Sequence, residues 1–166
     1  MKDNTLKELF RSDLQYLYNV EKQIVKALPK MAKAAADPEL KDAFEEHLEE
    51  SKGHVERLDK IFEDLGLKSR GKKSRGIEGL IEEGKEILEK SENLGPDVVD
   101  AALIATAQRI EHYEIAAYGT LRTYAKLLSN KDTSELLDKS LKEESKADKN
   151  LTRIAVKRVN PKIASA

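Results

Sequence analysis

Apolar residues recur at intervals of three, four and seven over long stretches of this chain, and prolines and glycines seldom interrupt them. Of 166 residues, 4 are proline and 8 are glycine. Between residues 4 and 35 the apolar positions of this series are Leu6, Phe10, Leu17, Ile24, Leu28 and Met31. Such spacing is typical of a helix that buries one stripe of side chains. It predicts a helix over about residues 4–35, with a kink or an altered last turn at Pro29.

Two further helices are predicted in the middle of the chain. Asp37-Pro38-Glu39 combines a helix cap, a first-turn proline and a first-turn acid, and it therefore opens a helix over about 38–66. A basic, glycine-containing loop follows at 67–75. Beyond it, apolar spacing predicts a short helix over about 76–91.

The last part of the chain contains two more long helices. A Gly-Pro-Asp motif opens the third long helix, over about 97–128. Asp132 and Glu135 have the spacing of a capping box for the fourth, over about 133–159. This helix is predicted to end before Pro161.

No stretch alternates as a β-strand does, so the chain is predicted to be all-α and a single domain of residues 1–166. Short turns make each pair of consecutive long helices antiparallel. The connection between 66 and 96, about 30 residues, lets the second pair pack on the first with the second and third long helices parallel. This is the one-crossover topology of a ferritin-like four-helix bundle, here with an additional short helix in the crossover.

Composition limits the chemistry and the partners. The formal net charge is −1 at pH 7, and no apolar run approaches the roughly 20 residues of a membrane span, so neither nucleic acid nor a membrane is expected as a partner. The charged, amphipathic start is unlike a secretory signal and predicts a cytoplasmic protein. Cysteine is absent, so a bound metal would need oxygen and imidazole ligands. The basic loop lacks aromatic residues and is interpreted as a solvated linker.

Acidic residues interrupt the apolar stripes at positions where a hydrophobic side chain is expected. In the fourth long helix the interruptions are Glu144 and Asp148. In the second, Glu50 is flanked by His47 and His54. On or beside the stripes of the first and third long helices lie Asp13, Glu21, Gln108, Glu111 and Glu114.

Each antiparallel pair of helices places two of these glutamates at one height. Residues equidistant from a short turn lie level with each other. The midpoint of Glu21 and Glu50 falls at the first turn, and the midpoint of Glu111 and Glu144 falls close to the second. The sequence therefore predicts a layer of four glutamates, one from each long helix.

Such a layer needs compensation, because an ionised carboxylate removed from water costs several kcal/mol. No nearby stripe position carries Lys or Arg. Either several glutamates are protonated, with strongly raised pKa values, or divalent cations neutralise them. A third interpretation is that some of them lie at the flank of the stripe and reach solvent.

Neighbouring polar residues have alternative roles. His47 is either a partner of a ligand or a core histidine, and Gln108 lies beside the layer on its helix. Asp13 is interpreted as a hydrogen-bond partner between helices. Tyr18 and Tyr118 are expected to pack near the stripes, and a redox role for either is the alternative.

Four segments resemble a known family. They are YNVEKQIVKALPKMAKAA (18–35), HLEESKGHVERLDKIFEDLG (47–66), GLIEEGKEI (79–87) and AQRIEHYEIAAYGTL (107–121). These strings are similar to those of YciF/YciE-type bacterial stress proteins, a family of the ferritin-like superfamily. The similarity extends over nearly the whole chain in order.

The resemblance implies a helical bundle, usually a homodimer, with a di-iron site like that of rubrerythrin. Carried over to this sequence, the implied core ligands are Glu21, Glu50, Glu111 and Glu144, with His54, Glu114 and Asp148 as additional candidates. The usual Glu-x-x-His pattern is absent, because the second ligand follows Glu50 and Glu144 at a spacing of four. A carboxylate-rich, hard site of this kind favours two Fe or Mn ions as cofactors.

Three functions are compatible with these features. The first is a di-metal redox protein that consumes peroxide or oxygen during stress, with an electron donor that the sequence does not identify. The second is a non-enzymatic stress or structural dimer whose site is empty or merely stabilising. The third is iron storage in a closed shell, which the additional crossover helix disfavours.

The size of the protein in solution distinguishes the third function from the others. We expect light scattering to give twice the mass of one chain, because the resemblance implies a homodimer. A particle of many subunits would contradict the dimer and favour the shell.

Overall fold

The computed structural model describes residues 5–165 and is helical, with no strand, over that range. Its long and intermediate helices are α1 Leu6–Ala34, α2 Pro38–Asp64, α3 Arg75–Lys90, α4 Pro96–Leu127 and α5 Lys131–Ile154. A π-helical turn at Ala155–Val159 connects α5 to the short α6, Asn160–Ala164. The expectation of an all-α chain is therefore confirmed. The predicted start of the first helix at residue 4 lies outside the described residues.

Side-chain caps determine where several helices begin. Thr5 accepts a hydrogen bond from the N–H of Glu8 at the start of α1. Asp37 accepts hydrogen bonds from the N–H groups of Glu39 and Leu40 at the start of α2. Capping of this kind satisfies N–H groups that the first helical turn leaves without a partner. The cap predicted at Asp37 is confirmed.

The start of α5 differs from the predicted capping box. Asn130, not Asp132, caps the helix, and its side chain accepts from the N–H of Thr133. Ser129 has a φ of 57°, in the left-handed region. This residue reverses the chain immediately after α4, so that α5 begins at Lys131, two residues earlier than predicted. The capping-box interpretation was wrong because it ignored the equally good acceptor at Asn130.

The two prolines in helical segments differ in how they compare with the prediction. At Pro29 the sequence predicts a kink or an altered last turn inside a helix that runs to about residue 35. Pro29 lies inside α1, which continues to Ala34. At the other end of the chain, the N–H of Asn160 donates to the carbonyl of Ala155, the spacing of a π turn. The wider turn precedes Pro161, which sits in the first turn of α6, where its missing N–H costs little. The helical backbone thus continues past Pro161, contrary to the prediction.

The four long helices pack as a bundle in which each has two neighbours. α1 and α5 each pack against both α2 and α4. Contacts of Ala36 with Asp100 and of Glu21 with Tyr118 show that α1 and α4 are antiparallel. Two of the ion pairs between α2 and α5, Arg57–Glu143 and Arg153–Glu39, show that these two helices are antiparallel as well. Consequently α2 and α4 are parallel, as the crossover predicts.

α3 lies on the outside of this bundle. It packs mainly against α4 and touches α1. Ile77 is its one fully buried side chain in the described part of the chain. The long crossover is therefore attached to the bundle along one face, which leaves the α2–α5 face of the bundle free of it.

A buried aspartate fastens the α1–α2 turn to α4. The carboxylate of Asp100 is fully buried and accepts hydrogen bonds of 2.8 Å from the N–H groups of Ala36 and Asp37. Asp37 in turn is ion-paired with Arg158 at 3.1 Å. These contacts fix the height of α1 relative to α4, and hence the height of any side chain that the two helices direct inward.

We expect Asp100→Ala to lower the free energy of unfolding by about 2–4 kcal/mol, because two buried N–H donors lose their acceptor. Urea denaturation measures this loss. Asp97→Ala on the same helix is the control: Asp97 forms a half-exposed ion pair with Lys162, and its removal should cost less than about 1 kcal/mol. Equal effects of the two substitutions would contradict the role assigned to Asp100.

Candidate metal centre

Helix α2 contributes two histidines to the bundle interior. From Leu40 to Ile61 its buried positions alternate strictly by four and three, and Phe62 is buried after them. The alternating positions are Leu40, Phe44, His47, Ser51, His54, Leu58 and Ile61. His47 and His54 are thus two helical turns apart on one face, with the small Ser51 between them. Their rings approach each other to 6.4 Å between centroids. Glu50 lies to the side of this stripe.

The other three long helices contribute buried glutamates at the same height. These are Glu21 from α1, Glu111 and Glu114 from α4, and Glu144 from α5, and each is at most 3% exposed. Four carboxylates and two imidazoles therefore meet in a layer of the otherwise apolar core, which we call the acidic layer.

One half of the acidic layer is formed by His47, Glu111, Glu114 and Glu144. A ligand atom from each of these residues lies within 4.8 Å of the others. The Nε2 atom of His47 is 3.1 Å from Glu111 Oε1 and 3.6 Å from Glu144 Oε2. This spacing is compatible with one ion between them.

The other half is formed by Glu21, His54 and Glu144, whose ligand atoms also lie within 4.8 Å of one another. The Nδ1 atom of His54 is 3.1 Å from Glu21 Oε1 and 2.9 Å from Glu144 Oε1. Glu144 belongs to both halves, with Oε1 toward His54 and Oε2 toward His47. It therefore has the position of a carboxylate that bridges two ions.

Residues outside the layer orient its members. The Nε2 atom of His54 is 2.9 Å from Glu143, which is ion-paired with Arg57 at 2.6 Å. The hydroxyl of the fully buried Tyr118 donates a hydrogen bond to Glu21. A carboxylate on the far nitrogen of an imidazole is the usual support of a metal-ligating histidine. Here it leaves Nδ1 of His54 directed into the layer.

Many polar atoms of the layer have no hydrogen-bond partner within residues 5–165. They are one carboxylate oxygen each of Glu21 and Glu111, both of Glu114 and of Glu144, and both ring nitrogens of His47. Some of these atoms have close neighbours, but none is aligned as a hydrogen bond. Buried polar atoms in proteins seldom lack a hydrogen-bond partner. Where the protein itself supplies none, a bound cation or an ordered water molecule does so.

The glutamates raise the pKa of both histidines. Burial by itself would lower the pKa of His54, but contacts with Glu144 and Glu21 raise it to about 10. Burial likewise opposes protonation of His47, and the charge of Glu111 raises its pKa well above the usual range. Without a cation, the layer draws protons onto its imidazoles.

Burial also raises the pKa of two of the glutamates. For Glu144 burial is the largest cause, and its pKa is about 8. For Glu114, burial together with the charges of Glu144 and Glu21 raises the pKa well above the usual range. Both effects have the same origin, because four carboxylates in an apolar interior oppose one another's ionisation.

The residues present fit a pair of divalent cations. Four ionised glutamates carry a charge of −4, which two divalent ions neutralise while both histidines remain neutral ligands. The partnerless oxygens supply acceptors, and the oxygen-rich set favours hard metals such as Fe(II) and Mn(II). No Lys or Arg among the described residues forms an ion pair with any of these four glutamates in place of a metal.

The structure places the remaining predicted residues outside the layer. The Glu50 side chain is 21% exposed and pairs with Lys146, because Ser51 rather than Glu50 continues the strict alternation of α2. Asp148 accepts a hydrogen bond from Gln108 across the α4–α5 interface. The two residues thus form a pair, but neither lies in the groups of ligand atoms.

Two further predicted neighbours lie near the loop that precedes α3. Asp13 is half-buried beside Lys72, and burial raises its pKa. No hydrogen bond between helices involves its side chain in the described contacts. Tyr18 is buried and packs edge-on against Phe62, with ring centroids 5.5 Å apart. It packs near the stripe, as expected, and does not contact the layer.

The sequence interpretation gave Tyr118 packing or a redox role, not the support of a glutamate, and it did not select Glu143 or Arg57. Tyr118 follows Glu114 by one helical turn, so the spacing of four was an available signal. Glu143 and Arg57 lie beside the stripes of α5 and α2, and no spacing rule distinguishes them from surface residues. Their roles arise from contacts between helices.

Comparison with known proteins identifies the family. Residues 5–164 match the family described as domain of unknown function DUF892. The chain belongs to this family. It is also 44% identical to protein YciF of Escherichia coli K12 over 163 residues, which cover 98% of this chain and 97% of that protein. The resemblance to YciF is thereby confirmed.

Solved structures of proteins similar to this chain have the same fold. The E. coli stress protein YciF has a TM-score of 0.88, with 95% of this chain and 98% of that one covered. YcfI of Rhodopseudomonas palustris, proposed to be a structural protein, is 40% identical, with a TM-score of 0.86 and coverage of 91% and 95%. A Xanthomonas campestris protein at 19% identity and a TM-score of 0.71 is similar in fold alone, over 90% of each chain. No helix of residues 5–165 is long and apolar enough to cross a membrane.

We expect the stability of the metal-free protein to fall as the pH rises from 6.5 to 10. His54 has a pKa of about 10 when folded and 6.5 as its ordinary value, and the pKa of Glu144 rises from 4.5 to about 8. The folded state therefore binds more protons than the unfolded state in this window. The free energy of unfolding should fall by about 1.4 kcal/mol per pH unit for each such proton.

Urea denaturation with a chelator present, at several pH values in that window, measures the slope. His54→Gln should reduce it, because one of the protons is removed. A wild-type stability that is flat or rises with pH would contradict the proton binding assigned to the layer.

Proposed function

We propose that this DUF892 protein is a ferritin-like four-helix-bundle protein that binds two Fe or Mn ions in the acidic layer. We further propose that it uses them to consume peroxide or oxygen during stress. The observation that carries the proposal is the position of Glu144, whose two oxygens face different histidines. The similarity to the E. coli stress protein YciF supports the association with stress.

The ligands divide between two positions. His47 and Glu111 would hold one ion, and His54 and Glu21 would hold the other. Glu144 would bridge them, and Glu114, whose two oxygens are both without partners, is available to either. Paired cations with bridging glutamates, held by facing helices, are characteristic of ferritin-like di-metal bundles.

When bound, two divalent ions would supply two electrons by becoming trivalent, and these electrons with two protons reduce one hydrogen peroxide to two waters; an external electron donor would return the ions to the divalent state. The protein's own groups have supporting tasks. Glu143, fixed by Arg57, orients His54. Tyr118 donates to one oxygen of Glu21 and so leaves the other oxygen for a ligand bond. Because all of these groups except Glu143 and Arg57 are almost completely buried, the surrounding core keeps bulk water away from them.

A non-enzymatic structural dimer is the second candidate. It is favoured by the hydrogen bonds and ion pairs that already satisfy part of the layer, such as those of His54 with Glu21 and Glu143. The proposed structural role of the similar YcfI protein points the same way. Iron storage in a shell is less compatible, because α3 occupies the crossover and α6 has only five residues.

Metal content and peroxide turnover separate these functions. We expect protein purified from its native host to contain about two Fe or Mn ions per chain, measured by mass spectrometry of the elements. Glu144→Gln should lose at least half of the metal, because each half of the layer loses a charged ligand. Glu135→Gln, exposed on the same helix, should retain all of it.

Peroxide consumption should follow the metal content across these variants. Failure of the wild-type protein to bind Fe(II) or Mn(II) added anaerobically would reject the di-metal proposal. Full metal content without peroxide or oxygen turnover would reject the redox activity and favour the structural dimer.

A further inference from the structure

A narrow cavity of about 20 Å³ between α2 and α5 is lined both by residues of the acidic layer and by surface residues. Its inner wall includes His47 and Glu111, which belong to the layer. Its outer wall includes Glu46 and Lys146, which are 60% and 64% exposed. Buried ligand groups and solvent-facing charges thus line one continuous space, which we call the α2–α5 opening.

The side walls of the opening combine small and large side chains. Ala43 from α2 and Ala147 from α5 line it beside Phe44, Asn150 and Leu151, and neither alanine carries a side chain that could close it. The crossover helix α3 packs against α4 and α1, so it does not cover this face. A space of about 20 Å³ holds about one water molecule, so a fully hydrated cation cannot pass without losing water.

Three charged side chains lie at the outer end of the α2–α5 opening. The Nζ atom of Lys146 lies 2.8 Å from Glu46 Oε1 and 3.3 Å from Glu50 Oε1. The other oxygen of Glu50 lies 3.7 Å from Nδ1 of His47. Glu50 therefore contacts the surface lysine with one oxygen and approaches the buried histidine with the other.

At the inner end of the α2–α5 opening lies a ring nitrogen of His47 that has no hydrogen-bond partner within residues 5–165. His47 is 5% exposed, and this nitrogen is the Nδ1 atom, which faces Glu50. The route from Glu46 through Glu50 is thus a series of carboxylate oxygens that leads inward to His47. Carboxylate oxygens placed in this way can replace the water ligands of a hard cation one after another.

We propose that the α2–α5 opening is the access route of divalent cations to the acidic layer. Glu50 is the transit ligand, and Lys146 is the gate. The ammonium group of Lys146 occupies the carboxylates until a cation displaces it, and its exposed ion pairs cost little to break. This inference rests on the proposed di-metal function, and it gives Glu50 a role in delivery instead of a place among the resident ligands.

The rate of metal uptake tests the route. Co(II) gives a visible absorption band when it enters an oxygen- and imidazole-ligated site, so stopped-flow absorbance records both the rate and the final occupancy. We expect Glu50→Gln to slow uptake about tenfold and to leave the final absorbance unchanged, because an attracting charge is lost from the path. Lys146→Met should accelerate uptake, and added salt should slow the wild-type protein.

Two further variants complete the design. Glu49→Gln removes a neighbouring acid that is 70% exposed and paired with Lys52, away from the opening, so its uptake rate should equal that of the wild type. Ala147→Phe narrows the opening without a change of charge, and it should also slow uptake. Thermal denaturation verifies that each variant is folded.

The outcomes are distinguishable. Wild-type rates in both Glu50→Gln and Ala147→Phe would overturn the route, because cations would then enter elsewhere. A lower final absorbance in Glu50→Gln at an unchanged rate would make Glu50 a resident ligand and overturn its transit role. Slower uptake in Lys146→Met would overturn the gate. If the wild-type protein takes up no Co(II) and no Fe(II), the di-metal proposal itself fails, and the route with it.

Discussion

The burial of four carboxylates at one level of an apolar core is the constraint to which the rest of this structure responds. Like charges at such distances in a medium of low polarity oppose one another strongly. Within residues 5–165, no lysine or arginine forms an ion pair with these glutamates. It surrounds them with two histidines, a tyrosine hydroxyl and, one residue further out, the Glu143–Arg57 ion pair. The core therefore requires protons or cations at its centre in order to fold.

The helical scaffold holds that centre in a defined geometry. The hydrogen bonds that Asp100 accepts from the α1–α2 turn fix α1 against α4 at one end of the bundle. The ion pairs between α2 and α5 fix these two helices relative to each other along their length. Every residue of the acidic layer is thereby carried on a helix and none on a loop. Positions on helices are held more precisely than positions on loops, which suits a site that must keep charged groups a few ångström apart.

Much of the fold could be predicted from the sequence, because apolar spacing and helix caps are local signals. The level of Glu21, Glu111 and Glu144 could also be predicted, because height along a helix follows from counting residues from a turn. Rotation about the helix axis was harder to predict. Glu50 has the right height but points aside, since a shift of one residue turns a side chain by about 100°. The strict alternation through Ser51 was the signal that would have separated it from the stripe.

Contacts between helices could not be predicted in the same way. Asn130 and Asp132 are both acceptable caps, and the left-handed backbone of Ser129 decides between them. Similarly, Tyr118 becomes a partner of Glu21 only when α4 packs against α1. Such contacts depend on the final rotation and separation of whole helices, which no single segment of the sequence determines.

The shared position of Glu144 has a consequence for how a pair of ions would behave. A single carboxylate that faces both halves of the layer cannot be reoriented for one half without altering the other. Occupancy of the first position would therefore change the affinity of the second, and linkage requires the effect to be equal in the reverse direction. Half-filled protein would then be a state distinct from both the empty and the full one. The bundle would respond to metal availability over a range set by this coupling and by the two separate affinities.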